Sequence, residues 1–114
     1  MVEKIRKIAI PTDDGRILGE KFRGARGFLV ATIESGNIVH QELRWNLLSE
    51  MINSGLGAYY NLFDCDAVIV NEIGKCLSQR LEAEKKIIIR TIETDIPQIL
   101  IQYLESISVF SEIN

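Results

Sequence analysis

Four consecutive apolar residues, Ala67–Val70, constrain the fold of this chain more than any other short stretch. A strand this short and wholly apolar is typical of burial on both faces, which requires a partly parallel sheet with helices above and below it. Residues 28–34 are also apolar on both alternating faces, as expected of an interior strand. The strands predicted from these patterns are residues 5–10, 28–34, 38–44, 67–70 and 87–90.

The remaining apolar periodicity predicts helices over about residues 56–63, over residues 75–84, and over a segment that begins at Thr94 and Asp95. Thr and Asp favour helix N-termini. Pro97 is tolerated in the first turn of the last helix because the donor that it lacks would be unpaired there. This helix is expected to dock on the sheet through an apolar stripe of Ile96, Leu100, Leu104 and Ile107.

The order of these elements, βββαβαβα, restricts the topology. The turn residues at 35–37 make the second and third strands a hairpin, and parallel strands joined through a helix cross over right-handed. Both rules favour an α/β fold with a five-stranded mixed sheet in the order 3-2-1-4-5, strand 2 antiparallel, and helices on both faces. A crevice between the carboxyl ends of strands 1 and 4 is then the topological switch point, where α/β proteins bind ligands. It is bordered by residues 12–15, residues 71–74 and the segment after residue 90.

Length and charge limit the class of protein. A chain of 114 residues is expected to form one domain over 1–114, with a core at about 5–105 and a C-terminal tail at 106–114. The formal net charge of -3 gives no general attraction for nucleic acid or an anionic membrane. No apolar run approaches the roughly 20 residues of a membrane span, and the first residues lack the pattern of a signal peptide. A cytoplasmic location is therefore predicted.

The first strand is predicted to end before Pro11, which cannot donate to a sheet ladder. Turn-forming residues follow it directly: Thr12, Asp13, Asp14 and Gly15.

The connection over residues 12–26 is much longer than the usual roughly 4–6 residues, which is typical of a functional loop. We expect Ile17, Leu18 and Phe22 to anchor it to the core. Its basic residues, with Glu20 as the only acid among them, are Arg16, Lys21, Arg23 and Arg26. Because guanidinium groups match carboxylate and phosphate oxygens, this pattern indicates an anion site, and a solvated loop is the alternative.

Two other sets of residues are candidate metal ligands. Asp13 and Asp14, with Glu72 across the crevice, could hold Mg²⁺, although the turn-forming role of Asp is favoured. Cys76 follows closely after Gly74 at a predicted helix start, where the helix dipole favours a thiolate that could ligate an iron-sulfur cluster. The favoured alternative for Cys76 is a small buried apolar residue.

The remaining cysteine and the single histidine are weaker candidates. Cys65 enters the fourth strand at the opposite end from Cys76, so the two are expected to lie too far apart for a disulfide. His40 is expected to face solvent on an edge strand, and one histidine alone is a poor metal site.

An ordered set of segments resembles the dinitrogenase iron-molybdenum cofactor biosynthesis family over about residues 5–105. The segments read Lys-Ile-Ala-Ile-Pro-Thr-Asp-Asp-Gly at 7–15, Glu-Lys-Phe-Arg-Gly-Ala at 20–25, Phe-Leu-Val-Ala-Thr-Ile-Glu-Ser-Gly-Asn-Ile-Val at 28–39, and Asp-Ala-Val-Ile-Val at 66–70 with Ile-Gly at 73–74. The resemblance implies a ribonuclease H-like α/β fold and a role in binding or carrying iron-sulfur and iron-molybdenum cofactor precursors. Many members read Glu-His-Phe-Gly-Arg-Ala at 20–25, so Lys21 replaces a histidine, and Asn71 and Glu72 replace glycines of a Gly-Gly-Ile-Gly segment.

The leading hypothesis is a non-enzymatic binding or carrier protein for an anionic metallocluster, an iron-molybdenum cofactor precursor or a similar anionic small molecule, with a cofactor donor or acceptor protein as partner. Cys76 is the candidate cluster ligand. The candidate cofactor-binding residues are Thr12, Asp13, Asp14, Lys21, Arg23, Arg26, Asn71, Glu72 and Gly74.

Two alternatives remain open. One is a Mg²⁺-dependent hydrolase or nuclease that uses Asp13, Asp14 and Glu72. It is disfavoured because a ribonuclease H-type site needs acidic residues inside the sheet, where strand 1 has Ile8, Ala9 and Ile10. The other alternative is a protein-interaction module that assembles through its third strand or its tail.

Overall fold

The structure, a computed structural model, describes residues 5–20, 22, 24–46 and 62–113, with side chains as far as residue 106. Its elements are β1 Lys7–Thr12, β2 Gly27–Glu34, β3 Asn37–Trp45, β4 Ala67–Val70, α1 Lys75–Ala83, β5 Ile87–Arg90 and α2 Ile96–Ile113. Neither α1 nor α2 has the length and hydropathy to cross a bilayer.

The five strands form one mixed sheet in the order β3-β2-β1-β4-β5. β2 is antiparallel to both of its neighbours, while β4 is parallel to β1 and to β5. Ser35 and Gly36 join β2 to β3 with φ angles of 52° and 78°, the left-handed pair that suits the twist of a tight hairpin. The predicted strand order and hairpin are confirmed.

Alternate residues of the central strands pack on opposite faces of the sheet. On the α2 face, Ile8, Ile10 and Ile69 pack with Ile96 and Leu100 of the helix. The α1 face has its own cluster, which contains Ala9, Val30, Val68, Val70, Phe28, Phe22, Leu62, Cys65 and Leu81. Every residue of β4 is buried, so the wholly apolar strand has helices on both sides, as predicted.

β1 does not end before Pro11. Pro11 pairs with Phe28, and Thr12 pairs with Gly27, so the strand continues through the proline. The Pro11 carbonyl accepts the Gly19 N–H at 2.8 Å, and a strand residue directs its N and O to the same side. The nitrogen of Pro11 therefore points away from β2, so its lack of an N–H group leaves the β1–β2 ladder intact.

The helices match the prediction in part. α1 occupies nearly the predicted range, and Asp95 caps α2, since its Oδ2 accepts the Gln98 N–H at 3.2 Å. α2 runs on to Ile113, so the backbone of residues 106–113 continues the helix. The helix predicted over about 56–63 lies outside the described residues except for Leu62 and Phe63, which belong to a bend and a turn.

Candidate functional site

A long loop, residues 13–26, crosses the carboxyl ends of β1 and β4. Its middle is fixed by backbone hydrogen bonds, in which Leu18 N–H donates to the Thr94 carbonyl at 2.7 Å and Phe22 N–H donates to the Glu72 carbonyl at 3.2 Å. The Asn71 amide in turn donates to the Thr91 carbonyl at 3.2 Å. The three segments predicted to border the crevice are therefore joined to one another.

The loop places one apolar anchor in each core cluster. Leu18 packs on the α2 face, and Phe22 packs on the α1 face with its ring centroid 5.4 Å from that of Phe28. The prediction that Ile17 also anchors the loop to the core is wrong, since 47% of the Ile17 surface is exposed. Residues 17 and 18 are extended, so their side chains point to opposite sides and only Leu18 can face the core.

Thr12 organises the turn that opens the loop. Its buried hydroxyl accepts the Gly15 N–H at 2.9 Å and donates to the Ile17 carbonyl at 2.7 Å. Gly15 takes a φ of 84°, and an added Cβ there would lie 3.1 Å from Leu43. The hydroxyl of Thr12 is therefore engaged within the turn, and the glycine suits both the backbone angle and the space.

Asp13 and Asp14 also serve the loop backbone. Asp14 Oδ1 accepts the N–H groups of Arg16 at 2.8 Å and Ile17 at 3.0 Å, and the first of these bonds is the main cause that lowers the pKa of Asp14. Asp13 Oδ1 accepts the Arg26 N–H at 2.9 Å, which closes the loop at its base. These contacts are the turn chemistry that sequence reasoning favoured.

A metal site at these carboxylates is not assembled. Within the described part of the chain, no three His, Cys, Asp or Glu side chains form a group that could hold a metal ion, and Asp13, Asp14 and Glu72 are all within that part. The trio on which the hydrolase alternative depends is thus not brought together.

The charged and reactive groups of this region face solvent. Arg16, Arg26 and Glu72 are exposed, while Lys21 and Arg23 lie outside the described residues. Cys76 is the second residue of α1 and is exposed, so the favoured interpretation of a buried apolar residue is wrong. Gly74 caps α1 without any side-chain hydrogen bond, and an added Cβ there would meet nothing within 4 Å.

The other sequence candidates lie elsewhere. Cys65 is buried near the amino end of β4, and burial is the main cause that raises its pKa to about 12. His40 is exposed on the edge strand β3, as predicted.

Sequence reasoning missed the ion-pair centre at Asp64. Both oxygens of Asp64 accept hydrogen bonds from Arg44, at 2.5 and 2.9 Å, and Lys7 donates to it at 2.9 Å. The Arg44 hydrogen bonds hold the pKa of Asp64 well below its usual range. The three residues are far apart in sequence, so no local pattern signals the cluster.

Sequence reasoning also missed a groove of about 680 Å³ on the α2 face. It lies over β2 and β3 and beside α2, and the turn formed by residues 14–17 lines one end. Its apolar walls include Leu29, Ile38, Leu100 and Ile101. The cavity is therefore beside the loop, not in the crevice between β1 and β4.

The mixed sheet with helices on opposite faces and a long polar loop at its switch point defines a small α/β domain. Within this class, the family model for dinitrogenase iron-molybdenum cofactor matches residues 4–106. The chain belongs to that family. Among curated protein sequences, none matches this chain significantly.

Several solved structures share the fold. The crystal structure of PH0822 has a TM-score of 0.77 at 16% identity, covering 88% of this chain and 89% of that one. A dinitrogenase-like protein from Methanocaldococcus jannaschii has a TM-score of 0.71 at 17% identity, covering 91% and 92%. The apo form of the orange protein from Desulfovibrio gigas has a TM-score of 0.72 at 18% identity, covering 92% of each chain.

Proposed function

We propose that this protein is a non-enzymatic carrier that binds an anionic metallocluster, or an iron-molybdenum cofactor precursor, as its cargo. The observation that carries the proposal is the family match over residues 4–106, which spans nearly the whole chain. The same proposal includes that the fold is ribonuclease H-like. A carrier of this kind exchanges its cargo with a donor or acceptor protein.

The loop surface suits an anionic cargo. Arg16 and Arg26 are exposed on it, and guanidinium groups bind oxyanions through paired N–H donors. Asp13, which follows β1 on the same loop, already accepts the backbone N–H of Arg26. The proposal includes Lys21 and Arg23 as further cations of this surface.

The start of α1 supplies a second set of contacts. Among the described residues no side chain caps this helix, so the N–H groups of its first turn can meet an anion, and Cys76 is exposed among them. One thiol cannot fill the coordination of a cluster. Cys76 is therefore proposed as a single ligand to a cargo that is held mainly by charge.

Anaerobic loading tests the proposal. The purified protein is incubated with ferrous iron and sulfide, with and without molybdate, then desalted and examined by metal analysis and visible absorption. We expect retained metal in the wild type and reduced retention in Cys76→Ser and Arg26→Gln. The matched controls are Cys65→Ala, a buried cysteine, and Arg6→Gln, an exposed arginine at the opposite end of β1.

Two results would count against the carrier function. One is the absence of retained metal, of any spectral change and of any thermal shift in the wild type. The other is an equal loss in the control variants, which would show nonspecific binding of metal to the protein surface.

A further inference from the structure

The α2 face of the sheet is unevenly covered. α2 packs mainly over β1 and its neighbours, and it is the only helix of the described residues whose side chains join that core cluster. A helix with its side chains is about 10–12 Å wide, whereas five strands at about 4.8 Å spacing are about twice as wide. Among the described residues, this face is least covered at its β3 edge, where Leu43 is 43% exposed, whereas Leu29 and Ala31 of β2 are buried. The groove lies along this edge.

The groove walls are apolar and partly exposed. Leu29 and Leu100 are buried at its base, while Ile17 and Ile101 remain 47% and 48% exposed at its rim. Residues Ile96 to Leu104 of α2 extend along it for about 12 Å at 1.5 Å per residue. Its volume of about 680 Å³ falls in the range of roughly 300–1,000 Å³ that is typical of small-molecule sites.

The end of the groove at residues 14–17 carries two carboxylates. Asp14 and Asp95 line it together with Arg16, which leaves an excess of one negative charge. The start of α2 offers no free donor there, because Ile96 N–H donates to the Arg16 carbonyl, and Asp95 accepts the N–H groups of Gln98 and Ile99. Pro97 has no N–H group. This helix start is thus closed to anions, unlike that of α1.

We propose that the groove binds a small amphipathic cation, whose apolar body lies along α2 and whose ammonium or guanidinium group meets Asp14 and Asp95. The proposal is independent of the carrier function, because it uses the α2 side of the loop and needs neither Cys76 nor a metal. The turn at residues 14–17 is common to both surfaces, so a ligand in the groove would lie next to the cargo loop.

Two probes of equal length and opposite charge test this proposal, decylamine and decanoate, each used below its micelle-forming concentration. Binding is followed through the methyl signals of Leu and Ile residues by NMR titration. We expect decylammonium to shift the groove signals, including those of Leu100 and Ile101, in a saturable way and to bind more tightly than decanoate. Equal or tighter binding of decanoate would overturn the charge assignment, and shifts spread over the whole surface would overturn the site.

Variants locate the interaction. Ile101→Gln should weaken decylammonium binding about fivefold, from the loss of apolar area, whereas Ile87→Gln, at a similarly exposed isoleucine of β5, should not. Asp14→Asn and Asp95→Asn keep an oxygen for the backbone N–H groups and remove the charge. Each should weaken decylammonium about two- to fivefold and leave decanoate unchanged or tighter.

Two further measurements separate the outcomes. If light scattering shows a dimer that Ile101→Gln dissociates, a second copy occupies the groove and the proposal is wrong. Metal loading should be unaffected by Ile101→Gln, and decylammonium binding should be unaffected by Cys76→Ser. A failure of metal loading in the wild type would leave the groove proposal standing, and a failure of decylammonium binding would leave the carrier proposal standing.

Discussion

Two pairs of aspartates lie at opposite ends of the sheet and make different kinds of contact. Asp13 and Asp14 follow β1, and their oxygens hold the N–H groups of Arg26, Arg16 and Ile17 within one loop. Asp64 and Asp66 precede β4, and they connect segments that are far apart in sequence.

The pair before β4 joins strands. Asp66 Oδ2 accepts the N–H groups of Arg6 at 2.8 Å and Lys7 at 3.0 Å at the start of β1. Asp64 holds the side chains of Lys7 and Arg44, from β1 and β3. The ion pairs of Asp64 therefore lie at the amino end of β1, while Arg16 and Arg26 at the loop end are exposed.

The two cysteines should give the largest contrast between these ends. Cys65 lies beside Asp64, is buried and has its pKa raised to about 12 by burial, so it is almost entirely a protonated thiol at neutral pH. Cys76 is exposed at the loop end. In the native protein at pH 7.5, we expect iodoacetamide to label Cys76 at least about 100-fold faster than Cys65, measured by peptide mass spectrometry. Similar rates without denaturant would contradict the buried position of Cys65.

Removing the Asp64 carboxylate should be the most destabilising change to either pair. Asp64→Ala removes the carboxylate that accepts two hydrogen bonds from Arg44, whose side chain is only 18% exposed and which keeps its contact with Glu42. We expect the free energy of unfolding to fall by about 2 kcal/mol, measured by urea denaturation. Glu82→Ala, at an exposed residue of α1, is the control and should change it by less than about 0.5 kcal/mol. A loss at Asp64 no larger than at Glu82 would show that the ion pair adds nothing.

Acid should weaken the same contact. The pKa of Asp64 is lowered on folding, chiefly by the hydrogen bonds from Arg44, so its contribution is present above the unfolded value of about 4. It is lost as the pH falls from there through the lowered folded pKa. The difference in unfolding free energy between wild type and Asp64→Asn should therefore be constant from about pH 7 to 5 and shrink below about pH 4. If the difference in unfolding free energy grew as the pH fell, folding would raise the pKa of Asp64 instead of lowering it.

Thr12→Val should give the smallest of these effects and act at the loop end. The substitution keeps the shape but removes the hydroxyl that binds Gly15 N–H and the Ile17 carbonyl. We expect a loss of about 1 kcal/mol in unfolding free energy and faster amide exchange at Gly15, measured by NMR. Thr12→Ser keeps the hydroxyl and should retain the protection of that amide. Equal exchange in both variants would show that the hydroxyl does not hold the turn.

Local patterns predicted most of the fold. The apolar residues of β4, the turn residues at 35 and 36 and the Asp95 cap each carry their structural preference in a few adjacent residues, and all were confirmed. Pro11 was misjudged because its effect depends on which side of β1 needs a donor, and that is known only once the neighbouring strands are placed.

The site was predicted less completely, for a similar reason. The turn roles of Asp13 and Asp14 follow from their own preferences. The position of Ile17, the Asp64 ion pairs and the groove depend on residues from distant parts of the chain, so periodicity does not reveal them. Cysteine is usually buried, but this general preference did not predict the exposed position of Cys76.

The strand order also has a consequence for how the chain folds. The β2–β3 hairpin closes through two turn residues, whereas the pairing of Ile8 with Ala67 joins positions about 60 residues apart. Closing the longer span costs about 2 kcal/mol more in chain entropy, so we expect the antiparallel half to form first and β4 to join it later. The loop over residues 13–26 receives its partners Glu72 and Thr94 only from the late-joining part. This loop is therefore expected to become ordered in the last steps of folding.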